Sequence, residues 1–165
     1  MKKTLLVTVM ALFIAGVSAQ ETLQVAQERL NELVSLTKSE VKETGNDIID
    51  NYTDALYDLT DEVVDNGKDL NTLLENVKSG AVTKASALDE AYGLSEKISV
   101  ASAKAKSVVS TAKDATAQVK SLKGLSLKAL ATKTLANNTK ITALLGEETM
   151  NQVQTVTSLI SLFVK

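Results

Sequence analysis

The sequence contains no cysteine, histidine, proline or tryptophan, and aromatic residues make up only 3% of it. Without histidine and cysteine, the chain lacks the commonest general base, the thiolate nucleophile and the usual ligands of zinc and haem. Without cysteine, the fold also depends on packing rather than on disulfides, which favours regular helices over a small loop-rich structure. We therefore expect no cofactor.

Motifs for covalent catalysis and for phosphate binding are missing as well. There is no Gly-x-Ser-x-Gly nucleophile elbow, and a serine nucleophile without histidine would need lysine or a carboxylate as its base. No Gly-x-Gly occurs, and Gly67-Lys68 is followed by aspartate instead of the serine or threonine of a phosphate loop. We predict that the protein is not an enzyme, and we infer no small-molecule substrate.

Residues 1–19 have the pattern of a secretory signal peptide. Lys2 and Lys3 precede an apolar run from Leu5 to Val17, and small residues follow up to Ala19. The run is shorter than the ~20 apolar residues that a membrane-spanning helix needs. Cleavage after Ala19 would leave residues 20–165 as a single helical domain. We expect it in the bacterial periplasm, the envelope or the extracellular space.

The residues that are abundant favour helices. Alanine, leucine, valine, lysine, glutamate, serine and threonine dominate, so few positions interrupt a helix. Breaks are predicted where glycine or asparagine can close a helix: Gly45-Asn46, Gly80, Gly124, Asn137-Asn138 and Gly146. The implied helices cover about residues 21–44, 47–79 and 83–123, followed by a more broken region over 126–164. The predicted fold class is all-α.

The second predicted helix has a heptad pattern. Its seam positions follow alternating steps of three and four: Ile49, Tyr52, Leu56, Leu59, Val63, Asn66, Leu70, Leu73 and Val77. Aspartates occupy the positions opposite this seam: Asp50, Asp54, Asp58, Asp61 and Asp65. One face of one helix cannot surround a calcium ion, so we interpret these acids as a solvent-facing or partner-facing surface and predict no metal site. Asn66 and Gly67 suggest a kink, or a register-fixing asparagine.

The third predicted helix has a seam that is rich in alanine. Its members are Ala87, Ala91, Leu94, Ile98, Ala101, Ala105, Val108, Ala112, Ala115, Val119 and Leu122. Small side chains let a facing helix approach closely. Lys97 and Lys104 flank the seam and form a basic border that would suit the acidic second helix. We predict an elongated antiparallel helical hairpin, or an up-and-down bundle with coiled-coil-like packing once the terminal amphipathic segments are added.

The segment near the carboxyl terminus is unusually apolar. Leu159, Ile160 and Phe163 cluster at helical spacing in a place where many domains fray. These residues complete the bundle core, contact a membrane in its interface plane, or form an oligomer contact. We include them, with the five aspartates, in the candidate partner surface.

Charge divides the chain into two unlike halves. Residues 20–75 hold 14 acids and 4 bases, whereas residues 76–165 hold 12 bases and 6 acids. The halves can face each other within one molecule or between copies, or they can simply be two differently solvated faces. The acidic balance, together with a single arginine and few aromatic residues, argues against nucleic acid as a partner.

These observations favour an exported, noncatalytic helical bundle that acts as a structural or protein-interaction component. Its expected partner is another protein or a second copy of the chain, and a membrane surface is a further possibility. Two alternatives remain open. One is a membrane-active or lipid-binding protein, toxin-like or carrier-like, that opens amphipathic helices onto a bilayer. The other is a periplasmic holdase-type chaperone whose elongated hairpin clamps its clients.

Overall fold

The protein is all-α, as predicted. The computed structural model describes residues 21–38 and 43–163, with residues 147–148 and 158–163 described by their backbone alone, so the predicted signal peptide lies outside it. All regular structure in the described ranges is helical. The helices are α1 (residues 21–37), α2 (Asp47–Ser79), α3 (Lys84–Gln118), α4 (Leu125–Leu144) and α5 (Glu147–Phe163), with a short 3-10 turn at Val119–Ser121 between α3 and α4.

Helix α2 begins and ends where the sequence predicts, because a capping residue lies at each end: Asn46 before the first turn and Gly80 after the last. The Asn46 side-chain oxygen accepts hydrogen bonds from the backbone N–H groups of Ile48 and Ile49, at 3.1 and 3.2 Å. These bonds satisfy two donors that a helix start leaves without partners. At the other end, Gly80 adopts the left-handed conformation with φ 70°, which glycine reaches without a Cβ clash.

Helices α2 and α3 form the predicted antiparallel hairpin. Lys104 on α3 pairs with Glu62 on α2 at 2.6 Å, and Lys97 lies 3.8 Å from Asp69. Residue numbers fall along α3 as they rise along α2, so the two helices run in opposite directions. The basic border therefore does lie beside the acidic helix.

The predicted α2 seam forms the centre of the core. All of its members are buried except Val77, which is partly buried. A second row is buried too, at seven-residue spacing: Thr53, Thr60, Gly67 and Leu74. Other helices therefore cover a wider face of α2 than its heptad seam alone. The hydroxyl groups of Thr53 and Thr60 are buried in this face and donate hydrogen bonds to backbone oxygens one turn earlier.

Gly67 lies beneath α1. A Cβ at this position would overlap Leu30 Cδ1, so the missing side chain lets α1 approach α2 closely. Helix α2 continues through Asn66 and Gly67 as one helix. Packing against Leu30 therefore gives this glycine a role in the interior of the helix, where glycine ordinarily weakens the structure.

The alanines of α3 let two helices approach it. Five of them are fully buried: Ala87, Ala91, Ala101, Ala105 and Ala115. Helix α3 packs extensively against both α2 and α5, and α5 contributes the buried side chains of Met150, Val153 and Val156. Ala112 lies at the margin of this seam and is only partly buried.

Two boundary predictions were wrong. Helix α1 ends at residue 37 instead of about 44, and residues 43–46 are non-helical. The predicted break at Asn137-Asn138 does not exist, because both residues lie inside α4. Their amide groups are bonded to other helices, so a tertiary contact outweighs the tendency of asparagine to form turns.

Candidate interaction surface

Four of the five predicted aspartates form an exposed row on α2. Asp54, Asp58, Asp61 and Asp65 are all exposed, and we call these four residues the acid row. They follow one another at steps of four, three and four, so they occupy one face of the helix over about 16 Å. This face lies opposite the buried heptad seam, as the pattern predicts.

Asp50 has a different environment and does not belong to this open row. Its carboxylate accepts hydrogen bonds from the Thr44 backbone N–H at 2.9 Å, the Thr44 hydroxyl at 2.7 Å and the Gly45 backbone N–H at 3.0 Å. Thr44 is fully buried. The Asp50 carboxylate therefore holds the turn that leads into α2, and its place on a partner surface stays a prediction.

The acid row forms an ion pair only at its far end, over the residues that the structure describes. Lys68 Nζ lies 2.7 Å from Asp65 Oδ1, and both side chains are largely exposed. The hydrogen bond to Asp65, followed by the charge of the same carboxylate, raises the pKa of Lys68. Lys97 and Lys104 pair with Asp69 and Glu62, which lie beside the row.

Three carboxylates of the row are left without a cation. Over residues 21–38 and 43–163, Asp54, Asp58 and Asp61 have no ion-pair partner. Each faces another aspartate three or four residues away, a spacing at which like charges on a helix repel. The row is therefore a concentration of negative charge in which these three carboxylates form no ion pair, although the charge of Asp61 also contributes to the raised pKa of Lys68.

The apolar tail residues fall outside what the structure describes. Leu159, Ile160 and Phe163 belong to α5 by their backbone, but the positions of their side chains lie outside the described residues. The preceding turns of α5 bury Val153 and Val156. The three predictions for the tail (core, membrane contact and oligomer contact) therefore stay open.

A polar layer, fully buried only at Asn138 and Thr53, joins α4 to α2 and α1. Asn138 Nδ2 donates to Thr53 Oγ1 at 2.8 Å, and the Tyr52 and Thr142 hydroxyl groups lie 3.0 Å apart. Asn137 Nδ2 donates to the Tyr57 hydroxyl at 2.9 Å and contacts the backbone oxygen of Leu36 at 3.3 Å. The sequence does not predict this layer, because the Asn137-Asn138 pair indicates a helix break when it is considered without its distant partners.

Burial changes the titration of one residue in this layer. The pKa of Tyr57 is raised because burial disfavours the phenolate, and the hydrogen bond from Asn137 opposes this effect in part. The pair lies where α1, α2 and α4 meet, and none of the hydrogen bonds that it forms with described residues involves a nucleophile or a second titratable group. Its role is to fix the positions of the helices.

Two surface grooves of the described residues contain few titratable side chains. A groove of about 590 Å³ between α2 and α3 is lined mainly by small and apolar side chains, with Asp114 as its one carboxylate. A second groove, of about 690 Å³ between α1 and α2, has Lys38 and Lys68 on its rim. Among the residues that the structure describes, no group of three or more acids could hold a metal ion.

None of the described helices is long and apolar enough to cross a bilayer. Comparison of the chain with protein-family models, with curated proteins and with solved structures gives no match.

Proposed function

We propose that the protein is an exported, noncatalytic helical bundle that works as a structural or protein-interaction component of the bacterial periplasm, envelope or extracellular space. In this proposal the acid row on α2 docks a basic protein partner, while α1, α3, α4 and α5 hold α2 in place. The predicted signal peptide supports export. The lack of assembled catalytic parts in the sequence supports a function that is carried by surfaces.

The observation that carries the proposal is the unpaired charge of Asp54, Asp58 and Asp61. Like charges three or four residues apart destabilise a helix by about 0.2–0.5 kcal/mol per pair. A row of this kind costs stability in the isolated molecule, and a cationic partner would relieve that cost. Complementary charge also speeds and orients association.

The test uses the chain without residues 1–19 and a helical lysine-alanine peptide as the cationic probe, with affinity measured by calorimetry at low and high salt. The row variant is Asp54→Asn/Asp58→Asn/Asp61→Asn. The matched control is Glu75→Gln/Asp89→Asn/Glu96→Gln, which changes the net charge by the same amount at three other exposed acids. Circular dichroism checks that both variants keep their helix content.

The row variant should weaken binding by about tenfold or more, which corresponds to about 1.4 kcal/mol, while the control changes it little. Added salt should weaken the wild-type complex, because exposed charges are screened. Equal weakening by both variants would mean that only net charge matters. That result, or a wild-type chain that does not bind the peptide at low salt, would contradict the proposed role of the acid row.

A further inference from the structure

The turn between α3 and α4 exposes leucines beside unpaired lysines. Leu125 is 88% exposed and Leu127 is 40% exposed. Lys120, Lys123 and Lys128 surround them in sequence and are exposed as well. We call residues 119–128 the basic-apolar turn. Leu125 begins a helix of 20 residues. Among the large hydrophobic residues in the described parts of the chain, it has the largest exposed fraction.

Backbone geometry explains why the leucines project away from the core. Gly124 has φ 98°, a conformation that favours glycine, and α4 starts at the next residue. The first fully buried residue of α4 is Ala131, nearly two turns later. Gly124 supplies no side-chain cap, and the first turn contains no acid. The positive end of the helix dipole therefore adds to the field of the lysines.

The charge around the turn has a single sign over a long stretch. Residues 115–146 contain five lysines and no acid. Lys120, Lys123 and Lys128 form no ion pair with any residue in the described ranges. Asp114 precedes the turn on α3, and it forms no ion pair with these lysines.

We propose that the basic-apolar turn docks onto an anionic phospholipid surface. Leu125 and Leu127 would enter the interface between headgroups and acyl chains, and the three lysines would contact lipid phosphates. A soluble polyanion would satisfy the lysines but would leave Leu125 in water, which is the reason to choose a bilayer as the occupant. With only two leucines and three lysines, the contact should be reversible, and it should need both the apolar insertion and the attraction between lysines and phosphates.

This site is separate from the acid row, because the row lies on α2 between residues 54 and 65 and carries the opposite charge. The two sites together would let the bundle rest on an anionic membrane while it presents the acid row to a basic protein. The lipid contact does not depend on the proposed role of the acid row, and each is tested with different variants.

The chain lacks tryptophan, so a single introduced indole reports on one position. Leu125→Trp places it in the basic-apolar turn, and Val100→Trp places it at an exposed site in the middle of α3 that is 47% exposed. Each variant is mixed with vesicles of phosphatidylglycerol and phosphatidylcholine, and with vesicles of phosphatidylcholine alone. We expect a blue shift of the tryptophan emission maximum, and quenching of this emission by brominated lipid, only for Leu125→Trp on the anionic vesicles. High salt should reduce both the shift and the quenching.

Lysine variants made in the wild-type chain, which has no tryptophan, test the lipid contact independently by co-sedimentation with vesicles. Lys120→Gln/Lys123→Gln/Lys128→Gln should lower co-sedimentation with anionic vesicles by about tenfold or more. The matched control is Lys78→Gln/Lys84→Gln/Lys106→Gln, three exposed lysines away from the turn that have no ion pair in the described ranges. We expect this control to change binding by less than about twofold. Circular dichroism verifies that both variants are folded.

Four results would overturn the proposal. The first is the absence of a shift for Leu125→Trp on anionic vesicles, and the second is an equal shift for Val100→Trp. The third is the same shift with dextran sulfate, which would identify a soluble polyanion as sufficient. The fourth is a concentration-dependent shift without lipid, which would assign the turn to a contact with a second copy of the chain.

Discussion

Asn138 on α4 donates a hydrogen bond to the Thr53 hydroxyl on α2 across 2.8 Å, and both side chains are fully buried. The same hydroxyl donates to the Ile49 backbone oxygen, so it serves as acceptor and donor at once. The carbonyl oxygen of the Asn138 side chain has no hydrogen-bond partner among the residues that the structure describes. Because a buried amide is costly to leave without partners, this bond favours one placement of α4 on α2.

Removing the acceptor should destabilise the fold more than removing both partners. We expect Thr53→Val to lower the free energy of unfolding by about 1–3 kcal/mol, since it leaves the Asn138 amide group buried without an acceptor. Urea unfolding followed by circular dichroism measures the change.

The double variant Thr53→Val/Asn138→Leu should recover much of this loss, because both polar groups are replaced by apolar groups of similar size. If the effects of the two single substitutions simply add, the bond does not couple α4 to α2 and the interpretation is wrong.

Two neighbouring aspartates should respond differently to the same substitution. Asp50→Ala removes an acceptor of three hydrogen bonds in the turn before α2. We expect a loss of about 1.5–3 kcal/mol. Asp54→Ala, on the exposed row, should change stability by less than about 0.5 kcal/mol. Thermal and urea unfolding of the pair gives the comparison, and equal effects would remove the distinction between structural and open acids.

The alanine seam should resist enlargement where it is fully covered. Ala101 is 0% exposed, so Ala101→Leu has to displace its neighbours and should cost about 1–3 kcal/mol. Ala112 is only partly buried, so Ala112→Leu should cost less. The melting temperatures of the two variants report the difference. An unchanged melting temperature for Ala101→Leu would mean that the helices around α3 are not closely packed.

Tyr57 should make stability depend on alkaline pH. Because its pKa is raised in the folded state, the contribution of the neutral phenol is present below pH ~10, the ordinary tyrosine value, and is lost as the pH rises through the folded pKa. Spectrophotometric titration of the wild type minus Tyr57→Phe isolates this group. A difference curve centred at or below the ordinary tyrosine pKa would contradict the burial of Tyr57 between the helices.

Export should be visible in the mass of the product. If residues 1–19 act as a signal peptide, expression of the full chain in a bacterium should yield an exported product that begins at Gln20. Leu12→Asp interrupts the apolar run and should retain the product inside the cell with residue 1 or 2 at its start. Intact-mass measurement of the exported and retained fractions identifies the first residue of each product. An exported product with its first 19 residues intact would refute the cleavage site.

Local patterns predicted α2 well because all of them agreed. The Asn46 cap, the heptad seam and the Gly80 stop lie within or next to the helix and need no distant partner. The exposure of Asp54, Asp58, Asp61 and Asp65 followed from the same periodicity. Asp50 has the same spacing but bonds to Thr44 and Gly45, so its role depends on a turn that helix periodicity does not describe.

Prediction failed where the deciding partner is far away in the chain. Asn138 and Thr53 are 85 residues apart, and Asn137 contacts Leu36 over a separation of 101 residues. The tendency of asparagine to form turns is a local property, and these distant bonds overrode it. For the same reason, nothing local indicated that α4 would leave Leu125 in water.

The sequence by itself determined that the described residues are helical, where α2 lies, which seam of α2 enters the core and which aspartates lie opposite it, because these depend on helix caps and on the 3.5-residue repeat. Only the tertiary structure decided that a second row of α2 is also buried, that Asp50 binds a turn, which asparagines are buried and which leucines stay exposed. Those outcomes depend on how the helices cover one another. The arrangement of the helices is in turn set by packing and by hydrogen bonds between residues that are remote in sequence.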